Sequence, residues 1–255
     1  MIPCVLPPRD DAAPLRAVSF DAAGTLFHPV APIGELYARV ARRHAIAVDA
    51  TALHQRFRAA FHAAPPLAFP GLEPTALRAR EKAWWHAVVR EVFAGIAVRD
   101  FDAYFDELFA FFASAAAWRA DPDAAPLLRN LRAWKLRVFV VSNFDARVRG
   151  VLAALGLAEL IDAITISSEA GSAKPDPGIF RTALAETSAL GGDPLRPHEV
   201  LHIGDTARED LPAARAAGLD VVLVGDETLA VEAPDATCVR RLADVLPFIA
   251  RRLPA

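Results

Sequence analysis

The stretch Ala17-Val18-Ser19-Phe20-Asp21-Ala22-Ala23-Gly24-Thr25 decides how the rest of this chain is read. Its first four residues form a short, mainly apolar run of the kind buried within a sheet. The acidic residue that ends the run is followed at once by a Gly-containing turn. Open α/β sheets place their chemistry there, at the carboxyl ends of strands. A carboxylate in that position can act as a nucleophile and form a covalent intermediate, or it can hold a divalent cation. Two residues further on, where a second carboxylate could serve as acid and base, the chain has Ala23.

Four further runs have the same character. Val138-Phe139-Val140-Val141 leads into Ser142-Asn143, and Ala163-Ile164-Thr165-Ile166 into Ser167-Ser168-Glu169. Val200-Leu201-His202-Ile203 leads into Gly204-Asp205, and Val221-Val222-Leu223-Val224 into Gly225-Asp226. Short β-branched runs closed by small polar residues read as strands buried on both faces. Helical stretches at residues 145–155, 178–189 and 210–217 separate them. Such alternation predicts βαβ units in an α/β fold, a Rossmann-like parallel sheet flanked by helices.

Residues 28–117 break the rhythm. No strand-like run occurs there, and Ile33, Leu36, Tyr37 and Val40 follow helical spacing, as do Phe101, Tyr104, Phe105, Leu108, Phe109 and Phe112. Trp84, Val88, Val89 and Phe93 mark another helix, and these aromatics read as helix-packing core. The expected organisation is therefore a core of residues 15–27 and 118–250 with an all-helical cap of residues 28–117 standing over the carboxyl edge of the sheet. Gly34, residues 29–32 and residues 121–123 are the candidate hinges.

Composition narrows the function classes. Over 255 residues the chain is 54% hydrophobic and 23% charged, as expected of a soluble globular protein. A net charge of −3 gives no basic footprint for nucleic acid. No uncharged run reaches the roughly 18 residues of a membrane span. Cys4 and Cys238 lie in no metal-ligand spacing, and the first ten residues lack the basic region of a signal peptide. A cytoplasmic location is the expectation, and oligomeric state is left open.

Four polar elements fall in order at the predicted strand ends: Asp21 with Gly24 and Thr25; Ser142-Asn143; Lys174 within Ala173-Lys174-Pro175-Asp176-Pro177; and Gly204-Asp205 with Asp210. Each alone has a bland alternative as a turn residue, a helix cap or a surface lysine. Together they fit phosphoryl transfer. Asp21 would attack phosphorus, Ser142 would offer a hydroxyl to phosphate oxygens, and Lys174 would neutralise crowded negative charge. Asp205 and Asp210 would supply oxygen ligands for Mg²⁺. His28 could line the site or stand in a solvated loop. His202 reads as a core histidine, Arg56 and Arg58 as a solvated helix face within reach of an anion, and Glu209 as a carboxylate helping the metal through water or facing solvent.

This ordered set resembles the haloacid dehalogenase (HAD) superfamily, in the subclass with a helical cap between the first and second motifs. Gly34-Glu35-Leu36-Tyr37-Ala38, Trp84-Trp85, Ser142-Asn143-Phe144-Asp145 and Lys174-Pro175-Asp176-Pro177 are similar to its haloacid dehalogenase-like hydrolase domain-containing members. The resemblance implies a hydrolase with Asp21 as nucleophile, Lys174 beside it, and Gly24, Thr25, Ser142, Asn143 and Lys174 around the phosphate of a small phosphorylated substrate. It also implies Mg²⁺ held by Asp21, the Ala23 carbonyl, Asp205 and Asp210.

Ala23 departs from the pattern, because most phosphatases of this superfamily carry a second Asp there. Its absence leaves three outcomes: substrates whose leaving group needs little protonation, another acid such as His28 or a cap side chain, or binding with little turnover. Two relatives also lack that carboxylate. Metal-free 2-haloacid dehalogenases carry a Ser-Ser-Asn-like fourth motif in place of Gly204-Asp205. Phosphonoacetaldehyde hydrolases need a cap lysine, and the one in this cap is Lys82.

Overall fold

A computed structural model describes residues 13–253; the readings of Cys4 and of residues 1–10 fall outside them. The chain opens with β1 (Ala17–Phe20) and β2 (Phe27–Pro29), then four helices: α1 (Ile33–Arg43), α2 (Ala50–Ala63), α3 (Pro74–Val92) and α4 (Phe101–Phe112). It continues through β3 (Trp118–Ala120), α5 (Ala124–Ala133), β4 (Arg137–Ser142), α6 (Arg147–Ala154), β5 (Ala163–Ile166), α7 (Ser167–Ala170) and α8 (Gly178–Ala189). Last come β6 (Val200–Gly204), α9 (Asp210–Ala216), β7 (Asp220–Val224), α10 (Glu227–Glu232), β8 (Thr237–Val239) and α11 (Leu246–Ala250). No helix of the described residues is long and apolar enough to cross a membrane.

Six strands form one sheet in the order β5-β4-β1-β6-β7-β8, and every neighbouring pair is parallel. All five predicted strands are present. Alternation along each strand divides its side chains between two helical layers. Val18, Phe20, Val138 and Val140 point into a core shared with Leu127, Leu128 and Leu131 of α5 and Val148 and Leu152 of α6. Ala17, Phe139 and Val141 point the other way, against Ile179, Phe180 and Ala183 of α8 and Ala213 and Ala214 of α9. Central strands β1 and β6 are buried on both faces, as expected, whereas β5 and β7 are only part-buried.

Residues 33–112 hold the four helices, whose apolar faces meet in a separate cluster around Tyr37, Val40, Leu53, Val88, Val92, Tyr104 and Leu108. The strand-free reading of residues 28–117 needs one correction. Phe27, His28 and Pro29 pair antiparallel with Ala120, Arg119 and Trp118, so the helical segment leaves and rejoins the sheet through a two-stranded ribbon. A three-residue strand is too short to show a period.

Gly34 also has a different role from the predicted one. It lies inside α1 rather than at a hinge, and a Cβ there would stand 2.0 Å from the Ala50 carbonyl and 2.5 Å from the His54 nitrogen. Its missing side chain lets α1 press directly on α2. Gly34→Ala is expected to lower stability by about 1–3 kcal/mol through forced separation of these helices. Denaturant unfolding would measure it, and an unchanged midpoint would contradict this packing.

A buried carboxylate ties the helical segment to the sheet unit. Glu81 of α3 accepts from Arg78 at 2.7 and 2.8 Å and from the Ser168 hydroxyl of α7 at 2.6 Å. Arg78 also pairs with Glu169. Nearby, Trp85 donates its indole N–H to Asp145, which binds Arg147 through both carboxylate oxygens.

Candidate active site

The sheet order puts β4, β1 and β6 side by side, so their carboxyl ends bring Ser142, Asp21 and Gly204-Asp205 to one edge. The Asp21 backbone N–H donates to the Ile203 carbonyl at 2.9 Å, which carries the β1–β6 pairing to the residue before the turn. Lys174 arrives from the loop between α7 and α8. Its buried ammonium has three acceptors: Asp21 Oδ1 at 2.6 Å, Asp210 Oδ1 at 2.6 Å and the Val141 carbonyl at 3.1 Å. An ammonium has three protons, and each has a partner here.

Two glycines make room for the acids. A Cβ on Gly24, whose φ is +107°, would fall 2.2 Å from Asp205 Oδ2. One on Gly204 would fall 2.3 Å from Asp210 Cγ. Thr25 completes the turn, its hydroxyl 3.4 Å from Asp205 Oδ1. The Gly24 N–H, expected near phosphate, is engaged by the Phe27 carbonyl at 2.8 Å. Gly24 therefore contributes space for Asp205.

Asp21 and Asp210 thus share one ammonium, and Asp205 stands near enough to feel the charge of both acids without pairing with the lysine. Burial would raise the Asp210 carboxyl, but Lys174 and the His202 hydrogen bond outweigh it and hold that group well below the usual range. Burial pushes Asp21 up, partly opposed by Lys174. Asp205 is pushed up to about 8 by burial and then by the charges of Asp21 and Asp210. The surplus of negative charge and the hard oxygen donors fit a divalent cation. Among the described residues no cage of three or more His, Cys, Asp or Glu side chains forms. Mg²⁺ needs none, since it takes one or two carboxylates and keeps water and substrate oxygens. Asp205 and Asp21 are its closest candidates, with the Ala23 carbonyl between them in sequence. Asp210 has less to offer, because Oδ1 already accepts from Lys174 and His202 and Oδ2 accepts from the Thr206 N–H at 3.0 Å.

Ser142 ends β4, buried, and its hydroxyl has no hydrogen-bond partner among the described residues. That suits a group reserved for a ligand oxygen. Asn143 is occupied otherwise. Its Oδ1 accepts from the Lys174 N–H at 2.8 Å, and its Nδ2 donates to the Lys174 carbonyl and to Glu209, each at 2.9 Å. Asn143 clamps the backbone that carries the lysine, and Glu209 braces Asn143 rather than facing solvent.

The structure does not gather the other candidates here. His28 pairs with Asp121 across the ribbon at 3.1 Å. Arg56 donates to the Val92 and Ala94 carbonyls at and just past the end of α3, and Arg58 is exposed. Lys82 lies exposed on α3 and pairs with Asp106 at 2.8 Å. Sequence reasoning missed Asp145 and Arg147. The Arg147 guanidinium lies 3.9 Å from the Phe109 ring centroid and 5.1 Å from that of Trp85, below an apolar cavity of about 70 Å³ that Tyr37, Phe57 and Phe144 also line. The run Phe144-Asp145-Ala146-Arg147 directly after Ser142-Asn143 was the available signal.

Comparison with known proteins follows the same lines. A family model described as a haloacid dehalogenase-like hydrolase matches residues 15–218. A human protein, haloacid dehalogenase-like hydrolase domain-containing protein 3, is 34% identical over 247 residues, covering 94% of this chain and 93% of its own. Among solved structures, a defluorinating L-2-haloacid dehalogenase aligns with a TM-score of 0.70 at 24% identity, over 92% of this chain and 95% of its own. A HAD phosphatase from Thermococcus onnurineus aligns at 0.62 and 18% identity, over 94% of this chain and all of its own (100%). Both chemistries occur on this fold, so the fold does not choose between them.

Proposed function

The chain belongs to the haloacid dehalogenase-like hydrolases, and from that premise we propose that it is a Mg²⁺-dependent phosphohydrolase acting in the cytoplasm on a small phosphorylated metabolite, with the helical segment as its cap. The observation that carries this reading is the charge at the site. The buried carboxylates of Asp21 and Asp210 share one ammonium, and beside them the half-buried Asp205, with no ammonium partner of its own, is pushed up to about 8. A dianionic phosphate would be repelled by that surplus. A divalent cation held by Asp21, the Ala23 carbonyl and Asp205, with Asp210 behind them, supplies the missing positive charge. A site built only to attack the carbon of a haloacid has no use for the surplus.

The chain's own residues then divide the work. Asp21 attacks phosphorus, forming a carboxylate-oxygen-to-phosphorus bond as the bond to the leaving oxygen breaks. Lys174 neutralises charge on the carboxylate and the phosphoryl oxygens, and the unpartnered Ser142 hydroxyl orients the phosphate. Water then hydrolyses the aspartyl phosphate, releasing phosphate and restoring Asp21. Ala23 can neither protonate the departing oxygen nor activate that water. The reading therefore favours acyl or aryl phosphates, whose leaving groups depart without much proton help. With Lys82 turned outward to Asp106, the Schiff-base route of a phosphonatase has no support.

A panel of acyl, aryl and alkyl phosphates and 2-haloacids, with and without Mg²⁺, tests the reading. Phosphate release that requires Mg²⁺ and falls from acyl and aryl to alkyl esters is the expected result. Halide release without metal would overturn it. Ala23→Asp is expected to raise turnover on alkyl phosphates, towards the ~10²–10⁴-fold that a positioned general acid contributes. No rise would place the acid function in another residue.

A further inference from the structure

We propose that His202 is a positioning residue: its imidazole, fixed in one tautomer by Ser19, holds Asp210 at the angle from which that carboxylate presents Lys174 to Asp21. The kinetic part of the inference rests on the phosphohydrolase reading above.

The sequence position itself is unusual. Val200-Leu201-His202-Ile203-Gly204 is a central strand with apolar neighbours, and a polar ring in such a place is costly unless its nitrogens are hydrogen-bonded. Both are. Ser19 and His202 are direct partners across the β1–β6 pairing. The Ser19 hydroxyl lies 2.9 Å from Nδ1, and Asp210 Oδ1 lies 3.1 Å from Nε2. Phe180 closes the ring in, edge to face at 4.7 Å between centroids. Ser19 and His202 are wholly buried, and Asp210 is nearly so.

The protons can be placed from this geometry. Asp210 receives the Lys174 ammonium on Oδ1 and the Thr206 N–H on Oδ2, so it is an acceptor. The contact from His202 therefore requires a proton on Nε2. Nδ1 is then a lone pair, and the Ser19 hydroxyl must donate to it. One chain of bonds results: Ser19 to His202, His202 to Asp210, and Lys174 to both Asp210 and Asp21. An apolar residue at 202 would fill the strand equally well but take one of three hydrogen bonds from Asp210, leaving the Thr206 N–H and Lys174 to set the angle of the carboxylate. Outer partners of this kind fix the residues that do touch the reacting groups, and their loss costs ~10–100-fold in activity.

Two amides separate this role from simple packing. His202→Gln places an N–H where Nε2 stands and keeps the bond to Asp210. His202→Asn reaches only as far as Nδ1, keeping a partner for Ser19 but losing Asp210. With an aryl phosphate and Mg²⁺, His202→Asn is expected to lose ~10–100-fold in kcat with KM within about threefold, while His202→Gln recovers to within about fivefold of the parent. Equal behaviour of the two variants, both active or both impaired, overturns the proposal. A second measurement needs neither turnover nor a variant that folds. The ring-nitrogen spectrum of ¹⁵N-histidine-labelled parent protein should show the proton of His202 on Nε2, and a proton on Nδ1 overturns the proposal. If the parent hydrolyses no phosphate ester in the panel, the phosphohydrolase reading fails, and this spectrum still decides the role of His202.

Discussion

Asp21→Asn is expected to abolish phosphate release while leaving the protein at least as stable as the parent. The amide is nearly isosteric, and its oxygen can still accept from Lys174, which lies 2.6 Å from Asp21 Oδ1 in the parent. It is a poor nucleophile, so the covalent step is lost. Removing a catalytic nucleophile costs on the order of 10⁶-fold in kcat in a well-studied serine protease, and a fall to background is the expectation here. The same change removes one of the charges that hold Asp205 up at about 8. Relief of that repulsion favours folding, so activity and stability should move in opposite directions. Phosphate release and denaturant unfolding on the same preparation check this. Activity that survives excludes Asp21 as the nucleophile, and an inactive but destabilised variant would show that the repulsion is not felt.

Lys174→Met is expected to harm both properties, and to do so in a pH-dependent way. The ammonium is buried between Asp21 and Asp210, and the two carboxylates hold its pKa above the ordinary lysine value against the effect of burial. Its removal leaves the buried carboxylates of Asp21 and Asp210, with the half-buried Asp205 beside them, without a counter-charge. Breaking a buried pair by removing one partner costs about 3–5 kcal/mol. The sign with pH follows from linkage. Without Lys174 the already raised pKa values of Asp21 and Asp205 rise further, and Asp210 loses the main partner that holds its own below the usual range. Their contribution is harmless below the unfolded pKa near ~4 and becomes a loss as pH rises through the raised folded values. The deficit relative to the parent should therefore be small near pH 5 and full by about pH 8, where the chemistry should also be lost. Unfolding curves across that range give the answer, and a deficit independent of pH would show that the site is not a cluster of ionised acids.

Much of this was legible because the signals are long or repeated. Five apolar runs, each ending in small polar residues, announce a parallel sheet, whereas the adjacency of β4, β1 and β6 is seen only in the structure. Asp21 and Asp205 were legible for the same reason, as polar groups at strand ends, and Lys174 and Asp210 as polar groups a few residues beyond one. Shorter or indirect features were not. β8 and the ribbon strands have three residues each, below any period. Gly34 reads as a hinge because a glycine in a helix suggests flexibility, whereas its neighbour Ala50 becomes visible only when α1 and α2 are side by side. Asn143 was placed near phosphate because it follows Ser142, but its amide geometry suits the Lys174 backbone, a partner 31 residues away. His202 looks like a core residue from its strand position, and that reading is correct as far as it goes. Its bond to Asp210 depends on a turn whose shape residues 204–209 do not declare.

The ribbon of β2 and β3 has a consequence for how such a chain can change. Phe27 lies opposite Ala120, so the helical excursion begins and ends side by side, in a ribbon separate from the six-stranded sheet. For a loop closed at its base, doubling the length costs only about 0.6 kcal/mol more. Changes of length between residues 33 and 112 therefore cost the strand order little, provided that the bonds of Glu81 to Ser168 and of Trp85 to Asp145 are kept.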